Sequence, residues 1–311
     1  MRVRVPATSA NLGPGFDALG LALTLYDEVE ARIRPAGLSI EIDGEGADLA
    51  DAGEEHLVVR AMRVAFAVTG GQPPGIGLRC VNRIPHGRGL GSSAAAAVAG
   101  ILAARALSAS GPGLPDAALL ALASDIEGHP DNVAACLYGG LTIAWSGPEG
   151  PRMVRLEPLP SVTPAVCIAP APVRTDVARG LLPEMIPHRD AAANAGRSAL
   201  LVAALTQPGT GPDVLLDATR DWLHQDYRAS AMSQTHALVC RLRAAGLPAV
   251  VSGAGPSVLA FLGARGGPDY RHHLDSLGSI VRETGIPWRI SSPDVERQGA
   301  RVLRPESPPG C

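Results

Sequence analysis

The sequence contains no lysine: all 27 basic residues of this 311-residue chain are arginine. The Walker phosphate loop and Schiff-base catalysis both require a lysine amine, so the chain can use neither. Any bound phosphate must therefore be held by other groups, such as backbone N–H donors or arginine side chains.

Cysteine, dense basic runs and long apolar runs are also scarce. The five cysteines are scattered and form no C-x-x-C pair, which argues against a disulfide framework or a zinc site and favours a reducing compartment. A net charge of -3 without a basic cluster gives no electrostatic footprint for nucleic acid. The longest apolar run, at 94–104, is too short to span a bilayer, and the N-terminus lacks a signal-peptide core. We therefore expect a cytoplasmic protein with small-molecule ligands and neither a membrane nor a nucleic-acid partner.

Strand and helix patterns alternate along the chain, which predicts an α+β or mixed α/β fold. Alternating or β-branched stretches predict strands at 1–7, 27–33, 75–84, 139–145, 164–171 and 248–263. Helical spacing predicts helices at 92–108, 116–126, 189–206, 214–222 and 233–245. The Pro- and Gly-rich stretch 146–164 has the composition of a connection, and we place a boundary there between domains 1–157 and 158–311.

A run of glycine and serine precedes a nearly pure apolar stretch in "PHGRGLGSSAAAAVAGILAARAL", residues 85–107. The first N–H groups of a helix lack partners and carry partial positive charge, so nearby glycines let an anion approach them. Gly87, Gly89 and Gly91 allow this approach, and Ser92 and Ser93 add hydroxyls suited to a cap, a phosphate oxygen or Mg²⁺. An ordinary Gly-Ser turn explains the stretch equally well. A dinucleotide fingerprint is disfavoured, because Ser92 stands where GxGxxG needs glycine.

Polar residues gather in two other turn-rich stretches. In "SANLGPGFDALG", Asn11 and Asp17 either bond their own backbone or point at a ligand. In "DIEGHPDNVAA", a cluster at a helix exit is either a solvated turn or a metal and substrate site. A hard cation prefers carboxylate oxygen to imidazole, so Glu127 rather than His129 is the expected ligand there. Considered alone, Arg179 and Arg228 are two of 27 arginines and would be interpreted as ordinary surface residues.

Three ordered motifs resemble those of the GHMP kinases, a family whose phosphate loop needs no lysine. "PHGRGLGSSAA" matches the family pattern P-x-x-x-G-L-G-S-S-A-A, while "PATSANLGPGFDALGLAL" and "SGAGPSVLAF" are similar to its first and third motifs. The stretches "EGHPDNVAACLYGG", "TDVARGLLP" and "LHQDYR" are similar to the homoserine kinases within that family. The resemblance implies a two-domain α+β GHMP fold, with an N-terminal phosphate-loop domain, a ferredoxin-like C-terminal domain and the active site between them.

The resemblance also implies roles for individual residues. Glu127 and a loop serine, Ser93 in preference to Ser92, would hold Mg²⁺ and act in catalysis, and Thr175 would lie near the transferred phosphoryl group. The substrate would be held by Asn11, Asp17, Asn132, Arg179 and Arg228. ATP would be bound by the loop residues Pro85, Gly87, Arg88, Gly89, Leu90, Gly91, Ser92, Ser93 and Ala94.

The implied activity is ATP- and Mg²⁺-dependent phosphorylation of the side-chain hydroxyl of L-homoserine to O-phospho-L-homoserine, a step of threonine biosynthesis. Positioning and charge neutralisation dominate phosphoryl transfer, so no dedicated base is required. A homodimer is a family expectation. Two alternatives remain open: a mevalonate- or sugar-type GHMP kinase, and a non-catalytic ligand-sensing relative.

Three positions depart from the homoserine kinase pattern. His56 stands close to the nucleoside pocket, where these enzymes commonly have asparagine, so the adenine contacts are left open. "SAMSQTHAL" lacks a usual Met-Pro-Gly, and "DNVAAC" lacks a usual proline. None of these departures falls on the phosphate loop, Glu127 or the two arginines.

Overall fold

The structure, a computed structural model, describes residues 1–209 and 212–303. Residues 304–311 of the predicted second domain therefore lie outside the described part. No helix within the described ranges is long and apolar enough to cross a membrane.

Seven strands of the described chain form the first sheet. They are β1 (Arg2–Ala10), β2 (Leu19–Arg34), β3 (Gly37–Gly44), β4 (Gly75–Asn82), β5 (Leu141–Gly147), β6 (Gly150–Leu156) and β11 (Arg301–Leu303). Their order is β11-β1-β2-β4-β3, with β5 also pairing with β2 and β6 extending from β5. Only β3 and β4 pair in parallel among these strands; the other pairs are antiparallel.

Helices pack on this sheet and enclose the larger hydrophobic core. They are α1 (Leu57–Val68), α2 (Ser92–Leu107), α3 (Asp116–Glu127) and α4 (Asp131–Tyr138), with short 3-10 segments at Ala47–Glu55 and Gly111–Gly113. Helix α2 is buried along most of its length, as expected for a helix that is apolar on every side. Gly100 permits this packing, because a Cβ there would collide with the backbone oxygen of Val58 in α1.

The second sheet has four described strands in the order β10-β7-β9-β8, and each neighbouring pair is antiparallel. The strands are β7 (Pro164–Ile168), β8 (Ala249–Val251), β9 (Val258–Phe261) and β10 (Arg289–Ser291). The helices are α5 (Thr175–Gly180), α6 (His188–Thr206), α7 (Pro212–Ala218), α8 (Ser233–Ala244) and α9 (Pro268–Glu283), with a 3-10 turn at Ala229–Ala231. Strands and helices follow a βαββαβ order, so the ferredoxin-like expectation is confirmed.

Two details of the sequence interpretation need correction. The stretch 146–164 is not a plain connection, because residues 150–156 form β6 and pair with β5. This strand carries Arg152 and Arg155 and has no buried residue, which suits an edge strand despite Pro151. The helix predicted at 214–222 ends at Ala218. Strand β11 returns to β1 in the first sheet, and the division at 157/158 stays a prediction.

Candidate active site

The phosphate-type loop connects β4 to α2 and leaves the start of that helix open. Gly91 is the N-cap residue, with φ 68°, and it has no side chain with which to cap the first N–H groups. A Cβ at Gly91 would collide with Thr8 Oγ1 and lie 3.0 Å from Asn132 Oδ1. Glycine is therefore required here both by the left-handed backbone and by the neighbouring side chains.

The three motifs meet at this loop. The backbone N–H of Thr8 donates to the carbonyl of Leu90 at 3.0 Å, and Ser252 Oγ donates to the carbonyl of Gly89 at 2.6 Å. The N–H of Gly253 donates to the carbonyl of Ala10 at 3.1 Å. The first motif, the phosphate-type loop and the third motif thus form one hydrogen-bonded unit at the junction of the two sheets.

Arg88 holds the loop rather than facing either cavity described below. Its guanidinium donates to the carbonyls of His86, Ala169 and Pro170 at 2.9, 2.7 and 2.8 Å. These bonds fasten the loop to the chain that follows β7. Because three carbonyls occupy this guanidinium, its predicted contact with nucleotide would require rearrangement, and that contact stays a prediction.

A cavity of about 220 Å³, here called the charged cavity, opens in front of the loop. Every side chain predicted to act in catalysis or substrate binding lines it: Asn11, Asp17, Ser93, Glu127, Asn132, Thr175, Arg179 and Arg228. Of the predicted nucleotide-binding loop, Gly87, Gly89, Gly91, Ser92 and Ser93 line it, whereas Pro85, Arg88, Leu90 and Ala94 do not. The residues come together as predicted, and their individual roles stay predictions.

Glu127 and Ser93 form the oxygen-rich side of the charged cavity. Glu127 ends α3, and its Oε1 accepts a hydrogen bond from Ser93 Oγ at 2.6 Å. Burial raises the pKa of Glu127, while the Ser93 hydrogen bond and the nearby His129 counteract part of that rise. A partly desolvated carboxylate beside a hydroxyl is a donor set that suits a hard cation such as Mg²⁺, whose remaining ligands are phosphates and water.

His129 and Asp131 support this side from the turn between α3 and α4. His129 Nδ1 lies 2.6 Å from Asp131 Oδ1, which also accepts the N–H of Asn132 at 2.7 Å. Burial of the His129 ring opposes its protonation, but the Asp131 hydrogen bond and charge outweigh burial and raise its pKa. Thr8 Oγ1 donates to Asn132 Oδ1 at 2.7 Å and fixes the plane of that carboxamide.

The opposite side of the charged cavity carries an ion pair. Arg179 donates to both carboxylate oxygens of Asp17, at 2.7 and 3.0 Å. Asn11 Oδ1 accepts the N–H of Asp17 at 2.9 Å, and Asn11 Nδ2 donates to the Gly253 carbonyl at 2.9 Å. Asn11 and Asp17 have φ of 66° and 54°, a conformation that costs energy for residues other than glycine. These bonds hold the strained turn so that the Asp17 carboxylate meets the cavity.

Arg228 reaches the same side from the connection between α7 and α8 and is only 1% exposed. It donates from Nε to the Ala178 carbonyl at 3.2 Å, and its Nη1 lies 3.2 Å from His224 Nδ1. Among the described residues, no carboxylate lies within 4.0 Å of it. Burial, reinforced by the Arg179 charge, lowers the pKa of Arg228 to about 10. The guanidinium still carries its charge at neutral pH, and the described part of the chain offers it no anionic partner.

Sequence reasoning missed the residues that position these arginines. His224 is fully buried, lies 2.8 Å from the Gly13 carbonyl and stacks on Phe16 with ring centroids 5.2 Å apart. The guanidinium carbons of Arg228 and Arg179 lie 5.3 and 5.7 Å from the centroid of the Phe16 ring. A spacing of four between His224 and Arg228 within "LHQDYR" was the available signal for a local pair.

A second cavity of about 320 Å³, here called the apolar cavity, continues from the other side of the loop. Valine, leucine and alanine side chains form most of its wall: Val5, Val29, Leu49, Ala52, Leu57, Val58, Ala95, Ala96 and Ala99. Ser92 and Ser93 line both cavities. A ligand with an apolar ring at one end and anionic groups at the other would fit across the two cavities. Its ring would lie in the apolar cavity and its anionic groups at the start of α2.

Comparison with known proteins agrees with this arrangement. The profile of the GHMP kinases N terminal domain matches residues 56–140. The homoserine kinase of Streptomyces coelicolor is 55% identical over 304 residues, which cover 97% of this chain and 94% of that protein. The homoserine kinase of Clavibacter michiganensis subsp. michiganensis is 48% identical, over 97% of this chain and 93% of that protein.

Solved structures give the same assignment. The crystal structure of homoserine kinase from Cytophaga hutchinsonii superimposes with a TM-score of 0.84 at 28% identity, covering 97% of each chain. The L. major mevalonate kinase, at 15% identity and a TM-score of 0.67 over 96% of this chain and 97% of that chain, shares the fold alone. A mevalonate- or sugar-type assignment is therefore not favoured. The chain belongs to the homoserine kinases of the GHMP kinase family.

Proposed function

We propose that this chain transfers the γ-phosphoryl group of ATP to the side-chain hydroxyl of L-homoserine and forms O-phospho-L-homoserine for threonine biosynthesis. One structural observation supports the proposal independently of family membership. A buried arginine without a carboxylate partner in the described chain, Arg228, lies in one cavity with the Asp17–Arg179 ion pair, beside an open helix start.

The charges of the cavity suit an α-amino acid. Asp17 can accept hydrogen bonds from the substrate ammonium, and Arg179 and Arg228 can bind its carboxylate with their planar guanidinium groups. A zwitterion would give Asp17 and Arg179 replacement partners and would give Arg228 an anionic partner. Mevalonate and sugars have no ammonium group for Asp17, so the same cavity disfavours them.

The phosphate side supports the second half of the proposal. The open N-terminus of α2 and the loop glycines would bind the ATP phosphates, while Ser93 and Glu127 would hold Mg²⁺. When bound, Mg²⁺ neutralises phosphate charge that develops during transfer. Asn132 would orient the substrate hydroxyl, and Thr175, at the first position of α5, would lie near the transferred group.

We also propose a cytoplasmic enzyme that acts without nucleic-acid or membrane partners and assembles as a homodimer. The family resemblance supports the dimer, and the small cavities support small-molecule partners. The division into domains 1–157 and 158–311 is part of the same proposal. Strand β11 belongs to the second range but pairs with β1 in the first sheet.

The test is ADP formation from ATP by the purified protein, with and without Mg²⁺, in the presence of L-homoserine, L-serine, mevalonate or galactose. We expect Mg²⁺-dependent stimulation by homoserine, and weaker stimulation of Arg179→Ala at the same homoserine concentration. Stimulation by mevalonate or galactose instead would overturn the substrate. Nucleotide binding without ADP formation from any acceptor would instead indicate a ligand sensor.

A further inference from the structure

His224, in the connection between α7 and α8, is a buried titratable residue to which the proposed function gives no role. Its side chain is fully buried. Its Nε2 lies 2.8 Å from the Gly13 carbonyl, and its Nδ1 lies 3.2 Å from Arg228 Nη1. Both ring nitrogens therefore have partners, one in the first motif and one in the connection that carries His224 itself.

These two partners fix the position of the ring proton. A carbonyl oxygen can only accept a hydrogen bond and a guanidinium can only donate one, so Nε2 carries the proton and Nδ1 offers its lone pair to Arg228. A second proton, on Nδ1, would face the N–H groups of the guanidinium. The tautomer with the proton on Nε2 satisfies both contacts at once.

The surroundings of His224 also keep the ring neutral. Asp221 Oδ2 lies 3.7 Å from Nε2, but this carboxylate accepts three backbone N–H groups of its own turn. Burial lowers the pKa of His224, and the Arg228 charge adds to this, while Asp221 and Asp17 oppose it without reversing it. The neutral ring at neutral pH is the form that can accept a hydrogen bond from Arg228.

The bond to His224 determines which edge of the Arg228 guanidinium stays available. Nε donates to the Ala178 carbonyl at 3.2 Å, and Nη1 donates to His224 Nδ1 and lies 3.5 Å from the Gly253 carbonyl. Nη2 has no hydrogen-bond partner among the residues that the structure describes. Because the guanidinium is planar and Arg228 lines the charged cavity, Nη2 is left to bind an anion there.

The bond to Gly13 places the same imidazole against the loop 11–17, which carries Asp17. The ring also stacks on Phe16, with centroids 5.2 Å apart, and Phe16 directly precedes Asp17. In the proposed function Asp17 binds the substrate ammonium and Arg228 its carboxylate. Both groups of an α-amino acid are attached to one carbon atom, so their two binding partners must keep a fixed separation. His224 contacts the chain segments of both.

We propose that His224 is a positioning residue for α-amino acid recognition: its Nδ1 orients Arg228 towards the substrate carboxylate, and its Nε2–H holds that arginine's segment against the loop of Asp17. His224 does not line the charged cavity, so it acts through Arg228. The proposal rests on the proposed function, which supplies the amino acid substrate. Loss of the imidazole should weaken homoserine binding and leave the transfer step nearly unchanged.

The experiment is a double-mutant cycle on His224 and Arg228, with KM and kcat for homoserine measured at saturating ATP. His224→Leu removes both ring nitrogens, and Arg228→Met removes the guanidinium. His224→Asn, the conservative variant, retains an oxygen that can accept from Arg228. His236→Leu is the matched control, because His236 lies on the neighbouring α8 and pairs with Asp226 outside the charged cavity. Thermal melting checks that each variant is folded.

We expect His224→Leu to raise the KM for homoserine about tenfold with kcat within about threefold of wild type. In the Arg228→Met background the same substitution should raise KM no further. His224→Asn should recover most of the loss, and His236→Leu should resemble wild type. An equal rise in KM in both backgrounds would show that His224 does not act through Arg228 and would overturn the proposal, as would an unchanged KM in His224→Leu.

Nitrogen-15 NMR of the histidine rings in the free protein checks the tautomer without homoserine. The His224 signals, assigned by their absence from His224→Asn, should show a protonated Nε2 and an unprotonated Nδ1 at neutral pH. A proton on Nδ1 would overturn the proposal whatever the kinetics. A protein with the expected tautomer that neither binds nor phosphorylates homoserine would instead overturn the proposed function, and with it the substrate named here.

Discussion

The charged and apolar cavities share Ser92 and Ser93 but are built in different ways. Loops and helix ends from both sheets contribute to the charged cavity, and they bring ionisable side chains of both signs. The apolar cavity is formed mainly by β1, β2, α1 and α2 of the first sheet and its helices. Under the proposed function, ordinary apolar residues of the scaffold would hold the base, whereas recognition of the second substrate would depend on a few placed charges.

Each cavity also keeps a group that folding alone disfavours. In the charged cavity this is Arg228, which is buried without a carboxylate partner among the described residues. In the apolar cavity it is Asp27, a 6% exposed carboxylate on β2. Variants that lack such a group can be compared with wild type in two measurements: the free energy of unfolding gives its effect on stability, and ligand affinity gives its contribution to binding.

The largest effect is expected at the shared phosphate end. Glu127→Gln preserves shape but removes the charge proposed to hold Mg²⁺, so kcat should fall by at least about 100-fold. The dissociation constant of ATP should change far less, because the loop and the apolar cavity remain. Steady-state kinetics and direct nucleotide binding check this, with Ser93→Ala as the companion variant. A kcat within about tenfold of wild type would contradict the metal assignment.

The second largest effect is expected for substitutions in the charged cavity. Arg228→Met should raise the KM for homoserine by about 100-fold with little change in the KM for ATP, because the substrate carboxylate loses a buried partner. The free energy of unfolding should stay unchanged or rise, since an unpaired buried charge is replaced by an apolar side chain.

Arg179→Met is the matched control for that variant. Arg179 is half-exposed and already paired with Asp17, so its loss should raise the KM for homoserine less and should not stabilise the protein. Kinetics and chemical denaturation of both variants provide the comparison. An Arg228→Met enzyme with a normal homoserine KM would contradict the assignment of Arg228 to the carboxylate.

A change in the apolar cavity should affect the KM for ATP rather than the KM for homoserine. Ala96 lines it, and Ala96→Leu would fill part of its volume, so the KM for ATP should rise about tenfold while the KM for homoserine stays unchanged. Ala117→Leu, at an exposed position on α3, should alter neither. If Ala96→Leu changed only the homoserine KM, the base would not occupy this cavity.

The two cavities also differ in how far the sequence predicted them. The charged residues were predicted individually because each lies in a motif, and helix α2 was predicted within one residue because its pattern is local. The apolar wall was not predicted, since valine and alanine occur throughout the chain and only the packing of α1 and α2 on β1 and β2 brings these together. His224 was missed for a similar reason: its partner Gly13 is 211 residues away.

The smallest expected effect concerns stability at Asp27. Its Oδ1 accepts the N–H groups of Arg83 and Ile84 at 2.6 and 2.8 Å, yet burial outweighs these bonds and raises its pKa to about 6. Between its ordinary value near 4 and about 6, the folded protein binds a proton that the unfolded chain releases. This residue therefore lowers the free energy of unfolding as pH rises through that window, and the loss is complete above it.

Asp27→Asn retains an oxygen for both N–H groups and removes the charge. The free energy of unfolding of the variant should exceed that of wild type by at most about 3 kcal/mol above pH 6, and the difference should vanish towards pH 4. Denaturant unfolding at several pH values measures this, with Asp43→Asn at an exposed position as the control. If the variant is more stable but binds ATP more weakly, the carboxylate is retained for the nucleotide. If it is more stable and binds ATP normally, the Asp27 carboxylate lowers the stability of the protein without contributing to nucleotide binding.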